Sequence, residues 1–533
     1  MIDLRIWRAA LLAVPVALIV AMFSLQDAPR PLEPPLPPDA FDVDAARSLT
    51  RELARSAPAP RPGSDQDAAL AERVESLFTQ IPGAQVSEQS FTGSFGGDDV
   101  ELRNLIAVLP GESESQIALI ANRDSAEGSG AATSIASTAA LLEIASGFSG
   151  STHTKTLVFV STDGGDIGAL GAKQFVRNYS DAGQLDAAVV LSQPAAPEPT
   201  PPLEIPWSNG PESTGAALAR TAGRTLSEEV GVPPGDEGPL DDLFRLAIPA
   251  SFGEQAPLIE AGVDSVRLSS SGELPPPPER DGEDDVKSET LDGFGRSALS
   301  LLLALDAAPS PLERGPGAYI GVAGNLLPGW TLSMLALVLL ATVAIVASVG
   351  IAAAASSPLQ AAGAIGWSAL RALPFLIGLA GIFACSLLGL IPGPEFPFDP
   401  ASQSPGLVGS ACVLAALAAT GVAAFLLRPL LPPSPAMAAT APAAALLLAT
   451  VAAFGVWLIN PYLGLLVAIG LQAWVPAAGG AGGGGAEAED GRLAAAGLVA
   501  LGTVPVLAGL VDLAGRFDSG FGVFWDLLLL FSG

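Results

Sequence analysis

Long apolar runs separate the chain into a membrane-anchored start, a mixed middle part and an apolar final part. The first run covers residues 6–25. Because a helix rises 1.5 Å per residue, about 20 apolar residues can cross a hydrocarbon core of about 30 Å. Six further runs follow, at residues 332–355, 367–391, 406–427, 438–459, 462–475 and 493–513. The pattern predicts an N-terminal transmembrane helix and an all-α, multi-helix membrane domain, whose short fifth run could be tilted or re-entrant.

The middle part alternates amphipathic helical stretches with short β-rich runs, which predicts an α/β domain with a largely buried sheet. The expected strands are residues 104–109, 116–121, 156–161, 187–192 and 265–268. The expected helices are residues 45–55, 66–78, 135–146 and 288–305. Proline removes a backbone donor and breaks helices, so the Pro-rich residues 194–206 and 275–278 are expected to be loops.

These patterns predict five successive parts of the chain. They are an anchor at 1–28, a Pro-rich spacer at 29–43, the α/β domain at 44–310, a linker at 311–331 and the membrane domain at 332–533. A cleavable signal peptide is the alternative for the first part. An uncleaved signal anchor is favoured, because the apolar run exceeds a typical signal-peptide core and no clear small-x-small cleavage site follows.

The charge is concentrated in the part that precedes the membrane domain. The chain has 54 acidic against 25 basic residues, a net charge of -29. Such a surface repels polyanions, so nucleic acid is excluded as a partner, while the apolar runs make the lipid bilayer one. The two cysteines, Cys385 and Cys412, lie in apolar runs, so the α/β domain is expected to contain no disulfide.

The arginines predict how the chain crosses the membrane. Arg5 and Arg8 at the start of the anchor place that end in the cytoplasm under the positive-inside rule. Counting spans from there, Arg371, Arg428 and Arg492 all fall on cytoplasmic ends, and Arg516 does not. We therefore expect a multi-pass protein of the cell membrane with its α/β domain outside the cytoplasm.

Several short motifs follow the expected strands in a fixed order. Asn122-Arg123-Asp124-Ser125 ends one strand, and a run from Gly130 to Glu143 opens the next helix. Gly165-Asp166 follows another strand, Ser192 ends a fourth, and Gly253-Glu254-Gln255 precedes a fifth. Over residues 44–305 this order resembles metallopeptidase family 28, the co-catalytic zinc aminopeptidases. The resemblance implies a three-layer α/β fold with a mixed central sheet.

The resemblance also implies a di-zinc site, and the residues at its positions do not fit zinc. Asn122 stands where the family has a zinc-binding His, and Thr133 stands where it has the bridging Asp. Gly165 replaces the general base, Ser192 replaces a ligand Asp, and Asp166 alone keeps a carboxylate. Zinc needs imidazole, thiolate or carboxylate ligands. We therefore expect neither a metal cofactor nor a catalytic residue, although the family would carry zinc.

A histidine and three aspartates are the remaining candidates for chemistry. The single histidine, His153, lies in a polar turn before a strand and is expected to be an exposed surface residue. Asp124, Asp163 and Asp166 could supply oxygen ligands to a cation such as Ca²⁺, but the favoured reading is that they cap the helices that follow them. Without a second histidine no Ser has a general base in a nucleophilic triad.

The hypothesis is a non-catalytic, peptidase-like membrane protein that binds a peptide or partner segment and scaffolds a membrane assembly. Its layout is similar to the peptidase-like subunit of the GPI-anchor transamidase, which implies substrate binding and assembly. One alternative is a membrane-bound zinc exopeptidase with an atypical metal site. Another is a transporter or channel gated by the outer domain, which the scarcity of charged residues within the apolar runs disfavours. The expected relic pocket comprises Asn122, Asp124, Thr133, Gly165, Asp166, Ser192 and Gln255.

Overall fold

The computed structural model describes residues 2–235, 238–391, 406–430, 435–480, 486–517 and 520–524. The α-helices in these ranges are α1 Leu4–Ala10, α2 Ala13–Phe23, α3 Val43–Ser56, α4 Asp65–Gln80, α5 Ser134–Phe148, α6 Leu170–Asn178, α7 Ala216–Glu229, α8 Pro239–Ala247, α9 Gln255–Glu260, α10 Ser288–Ala307, α11 Gly329–Ala354, α12 Pro358–Leu387, α13 Gly406–Leu430, α14 Pro435–Ile459, α15 Pro461–Gly480 and α16 Ala486–Arg516. The strands are β1 Gln26–Asp27, β2 Gln85–Phe95, β3 Asp98–Leu109, β4 Ser113–Asn122, β5 Lys155–Thr162, β6 Leu185–Ser192, β7 Glu204–Ile205, β8 Ser265–Ser269, β9 Tyr319–Val322 and β10 Asn325–Pro328.

A mixed seven-stranded sheet forms the centre of the α/β domain, with the strand order β2-β3-β5-β4-β6-β8-β7. The inner pairs β5–β4, β4–β6 and β6–β8 are parallel, and the outer pairs are antiparallel. One face packs against α3, α5, α7 and α10, while Phe175 of α6 and Leu258 of α9 pack on the other. The predicted three-layer α/β fold is therefore confirmed.

The expected strands and helices of this domain are all present, and the prediction missed two strands. Strand β2 is long but polar, and it lies at an edge of the sheet where half of its side chains face solvent. Strand β7 lies inside residues 194–206, which were expected to be a loop throughout, so that prediction was wrong at Glu204 and Ile205. These two residues pair with Leu268 and Arg267 of β8, because tertiary pairing overrides the local preference set by the flanking prolines.

Within the residues that the structure describes, seven helices are long and apolar enough to cross a membrane, which supports a multi-pass membrane protein. They span Leu4–Phe23, Gly329–Ala354, Pro358–Leu387, Gly406–Pro429, Ala439–Ile459, Pro461–Gly479 and Leu493–Arg516. The first is interrupted at Leu11 and Leu12. Pro15 lacks the N–H that would bond the Leu11 carbonyl, and Val14 donates to that carbonyl instead. The apolar tail at 521–531 lies mostly outside the described residues.

The N-terminal helix is packed into the membrane bundle. The Trp7 indole Nε1 donates to Gln472 Oε1 of α15 at 3.1 Å, and the Thr342 hydroxyl of α11 donates to the same oxygen at 3.2 Å. Just after the helix, β1 adds to the β9–β10 hairpin that precedes α11. The Pro-rich residues that follow lie along the α/β domain, where the Leu32 N–H donates to the Thr221 hydroxyl at 3.0 Å.

Candidate functional site

The candidate site lies at the carboxyl edge of the parallel strands, where open α/β sheets usually bind ligands. Asn122 ends β4, Asp163 follows β5, and Ser192 ends β6. Nearly every residue of these three strands is buried. The apolar strands therefore form the floor of the site, and polar side chains begin only where the strands end.

Four of the predicted site residues are in direct contact. The Asn122 amide Nδ2 donates to Asp166 Oδ1 at 3.3 Å and to the Asp124 carbonyl at 3.2 Å. The Gly165 N–H donates to Asp124 Oδ1 at 2.9 Å, and the Ala126 N–H donates to Asp166 Oδ2 at 3.3 Å. Both oxygens of Asp166 therefore accept hydrogen bonds from groups of the domain itself.

Gly165 leaves no room for a side chain. A Cβ at this position would lie 2.5 Å from Asn122 Cβ and 3.1 Å from Asn122 Nδ2. The amide that stands at the family's histidine position thus fills the space beside the family's general-base position. An amide nitrogen and a glycine provide neither a lone pair nor an anion for zinc, so these residues do not fit the metal.

Thr133 is placed beside an aspartate that the sequence interpretation missed. The Thr133 hydroxyl donates to Asp281 Oδ1 at 3.0 Å, and the N–H groups of Gly130 and Ala132 donate to the same carboxylate at 2.7 and 3.1 Å. Burial raises the pKa of Asp281 to about 6, against the lowering effect of these donors. Asp281 lies in the loop between β8 and α10, 148 residues from Thr133 in sequence, so no local sequence pattern indicated this contact.

Ser192 and Gln255 lie outside the group formed by Asn122, Asp124, Gly165 and Asp166. Ser192 pairs with Ser269 along the β6–β8 ladder. The Gln255 amide Nε2 donates to the Trp207 carbonyl at 2.9 Å and to the Ser251 hydroxyl at 2.8 Å. Its side chain therefore fastens two loops together at the β7–β8 side of the sheet.

Glu254 and Arg267 complete the site, and the sequence interpretation assigned neither. Burial raises the pKa of Glu254 to about 7; the Thr162 hydroxyl and Arg267 lower it, and Asp166 raises it further. Burial likewise raises the pKa of Asp166 to about 6. Arg267 lies in the middle of the buried strand β8. The sequence does carry a signal for Arg267, because it is a charged residue in a short strand whose other residues are Ser, Val and Leu.

Asp163 and Arg123 form a buried ion pair under the site. Arg123 Nη2 lies 2.6 Å from Asp163 Oδ2, and Arg123 Nε lies 3.3 Å from Asp67 Oδ1. Asp163 also accepts from the Arg103 N–H at 2.8 Å. The expectation that Asp124, Asp163 and Asp166 cap the following helices was therefore wrong, since these carboxylates bind an arginine and loop amides. Across the described ranges, no three His, Cys, Asp or Glu residues are grouped to hold a metal ion.

The expectation of an exposed His153 was also wrong. Its side chain is buried, its Nδ1 lies 2.8 Å from the Lys155 carbonyl, and its ring meets the Phe148 ring edge-on. The turn that carries it folds back onto the end of α5, which covers the ring. As expected, it lies at the start of β5, at the opposite end of that strand from the site.

Comparisons with known proteins agree with this description of the domain. Residues 104–230 match Peptidase family M28. A stretch of 98 residues is 37% identical to transferrin receptor protein 2 of Rattus norvegicus and of Mus musculus, covering 17% of this chain and 12% of each relative. The chain thus spans only a small fraction of the length of these curated relatives.

Solved structures with a similar architecture include two kinds of enzyme. A glutaminyl cyclase of Porphyromonas gingivalis is 19% identical with a TM-score of 0.42, covering 49% of this chain and 98% of its own. BSAP, a zinc aminopeptidase from Bacillus subtilis, is 13% identical with a TM-score of 0.40, covering 49% and 94%. The α/β part is a peptidase M28-like domain joined to a set of apolar helices that fit a membrane domain.

Proposed function

We propose that the peptidase-like domain binds a peptide or partner segment without cleaving it, and that the whole chain scaffolds a membrane assembly. The observation that carries the proposal is the contact between Asn122 and Gly165, where a Cβ on the glycine would lie 2.5 Å from Asn122 Cβ. A carboxylate at position 165 would have to displace the asparagine. The position at which the family activates water is thus filled by an amide.

The same site keeps polar groups that suit binding. Asp166 is half-buried at the surface of the site, Asn122 donates to it, and both Asn122 and Thr133 are only 8% exposed. Their oxygens are acceptors that can receive N–H groups of an extended segment. Burial at the ends of strands strengthens such hydrogen bonds, because the local dielectric is low.

The non-catalytic part of the proposal is tested on the full chain in lipid nanodiscs. We expect no stoichiometric zinc by elemental analysis after dialysis against micromolar zinc, and no hydrolysis of a panel of aminoacyl-coumarins. Asp166→Ala serves as the control for both measurements. One or two zinc ions per chain, with turnover that Asp166→Ala abolishes, would replace this proposal with an atypical zinc exopeptidase.

The binding part is tested with a library of random 12-residue peptides displayed on phage and selected on the full chain. Peptides that use the site should lose binding to Asp166→Trp, because Asp166 is half-buried at the surface of the site and the substitution replaces its carboxylate with a bulky ring. Thr92→Trp on the exposed edge strand β2 is the matched control. Selected peptides that bind both variants equally, or no selection at all, would contradict binding at this site.

We also propose that the α/β domain lies outside the cytoplasm. Arg5 and Arg8 at the start of the first apolar helix and Arg428 in the last turn of α13 support this orientation under the positive-inside rule. A domain on that side would meet segments of extracytoplasmic proteins, which fits a binding role at the membrane surface.

A further inference from the structure

One side chain of the membrane bundle joins the bundle to the α/β domain. Asn460 lies between α14 and α15, and its Oδ1 accepts from the N–H groups of Tyr462 and Leu463, which caps α15. Its Nδ2 donates to the Leu246 and Ala247 carbonyls at 2.8 and 3.3 Å. These are the last carbonyls of α8. A single buried amide therefore caps the start of a membrane helix and the end of a helix of the α/β domain.

Helix α8 is connected in turn to the candidate site by buried charges. Arg245 of α8 pairs with Glu273, and both side chains are only 4% exposed. Arg267 donates to the backbone carbonyls of Gly272 and Glu273 at 3.2 and 3.3 Å. Burial lowers the pKa of Arg267, and the negative charges of Glu273, Asp166 and Glu254 partly offset that lowering.

The loop between α8 and α9 makes a second connection. Phe252 packs edge-on against Phe517 with ring centroids 4.9 Å apart, and it also lies against Ile391, which follows α12, and Cys412 of α13. The next residue, Gly253, has no room for a side chain, since a Cβ there would lie 2.6 Å from Arg267 Nη1. Glu254 and Gln255 follow directly. The loop that carries these site residues thus rests on the membrane bundle.

We propose that the site and the membrane bundle are conformationally coupled through α8 and the chain Asn460, Arg245–Glu273 and Arg267. Buried charges are costly to separate, so a shift of Arg245 with α8 displaces Glu273 and Arg267 together. Movement of α15 would then alter the surroundings of Asp166 and Glu254. Because coupling between two sites is reciprocal, a change at Asp166 or Glu254 also alters how tightly α8 packs against the membrane bundle. This coupling is a property of the chain alone and goes beyond ligand binding.

The test is hydrogen–deuterium exchange of the full chain in nanodiscs. Asn460→Ala should raise exchange by at least roughly threefold in residues 251–256 and 265–274, and leave α5 unchanged. The matched control is Thr450→Ala, because Thr450 is buried in α14 and its hydroxyl bonds only to its own helix, at Leu446 O. A rise confined to α8, or a rise that includes α5, would overturn the proposal.

A second measurement tests whether changes near the candidate site affect α8. At pH 8, where Glu254 is mostly ionised, Glu254→Gln removes one charge near Arg267 with little change in shape, and Glu273→Gln breaks the pair with Arg245 directly. Both should raise exchange in α8, residues 239–247, at the same backbone amides. Exchange in α8 that stays at the wild-type rate in both variants would refute coupling, whatever Asn460→Ala shows.

Discussion

Asn122 lies directly over Gly165, with the asparagine Cβ only 2.5 Å from the point that a Cβ on the glycine would occupy. From the order of the motifs, we expect these two positions to correspond to a zinc ligand and to the general base of the peptidase family that the domain resembles. Here they are matched to each other by shape. A single substitution toward the family pattern at either position would therefore disturb the other before it could restore a metal site.

This contact predicts a specific pattern of stability. Gly165→Ala should lower the free energy of unfolding by about 1 to 3 kcal/mol, because the new methyl overpacks against Asn122. Adding Asn122→Gly removes the opposing Cβ, so the double variant should be more stable than the sum of the two single changes implies. Thermal unfolding of the full chain measures all three variants.

Gly183→Ala is the control for this series, since a Cβ there would meet nothing within 4 Å. It should change stability by less than about 0.5 kcal/mol. Strict additivity of the Gly165 and Asn122 changes would show that the two residues do not constrain one another.

The fold was predictable because its buried strands carry their own signal. The centres of β5 and β6, residues 157–160 and 187–191, are apolar runs bounded by polar residues, and each strand ends at a recognisable motif. The long apolar helices in the described part of the chain were predictable for the same reason. Strand β2 gave no such signal, because it is polar and gains its place only by pairing with β3 along its whole length.

The site was only partly predictable, because motif order locates strand ends and does not orient side chains. Asn122 and Asp166 were expected to be close, and they are hydrogen-bonded. Gln255 was expected in the same pocket, but its amide is taken by the Trp207 carbonyl, a contact between residues 48 apart in sequence. Asp281 accepts a hydrogen bond from Thr133, which is 148 residues away in sequence, and no local sequence pattern predicts such a contact.

Glu254 should make stability depend on pH. Burial raises its pKa from the ordinary 4.5 to about 7, in the presence of Asp166 and Arg267. The folded state therefore binds the proton more tightly than the unfolded state. The contribution of Glu254 to the free energy of unfolding is fully present below about pH 4.5 and is lost as the pH rises through about 7. Glutamine cannot lose a proton, so Glu254→Gln avoids this loss.

We therefore expect the free energy of unfolding of Glu254→Gln, relative to that of the wild type, to rise by roughly 2 to 3 kcal/mol between pH 4.5 and pH 8. The measurement is the difference in unfolding midpoint between variant and wild type at the two pH values. Glu72→Gln, on the exposed face of α4, is the control and should show a far smaller change. A difference that is constant with pH would mean that Glu254 is not buried beside Asp166.

Arg123 should be the most sensitive charged residue of the domain. Its side chain is fully buried between Asp67 and Asp163. Arg123→Met would leave two carboxylates buried without their cation, which should cost about 3 to 5 kcal/mol. Arg73→Met, which breaks the exposed pair with Glu52, should cost less than about 1 kcal/mol. Equal losses of thermal stability in the two variants would contradict the assigned burial.

Arg516 departs from the positive-inside pattern that the sequence predicts, and its contacts bear on the orientation of the chain. Arg516 is paired with Asp512 at 2.9 Å, and its Nη2 donates to the Ile248 carbonyl of the α/β domain at 3.4 Å. Because Asp512 offsets its charge and the α/β domain binds its side chain, Arg516 can lie on the side of the membrane away from the cytoplasm at little cost in free energy. Its position on the same side as that domain is thus compatible with an extracytoplasmic domain.

Two single cysteines, placed in a background with Cys385 and Cys412 replaced by serine, test the orientation. Thr152→Cys is exposed at the turn before β5, and Ser356→Cys is exposed between α11 and α12. In intact cells whose inner membrane is sealed, a membrane-impermeant maleimide should label Thr152→Cys and should reach Ser356→Cys only after that membrane is permeabilised. The domain would lie in the cytoplasm if the labelling order were reversed. Because both reporters are surface residues, protection can come only from the bilayer and not from burial in the fold.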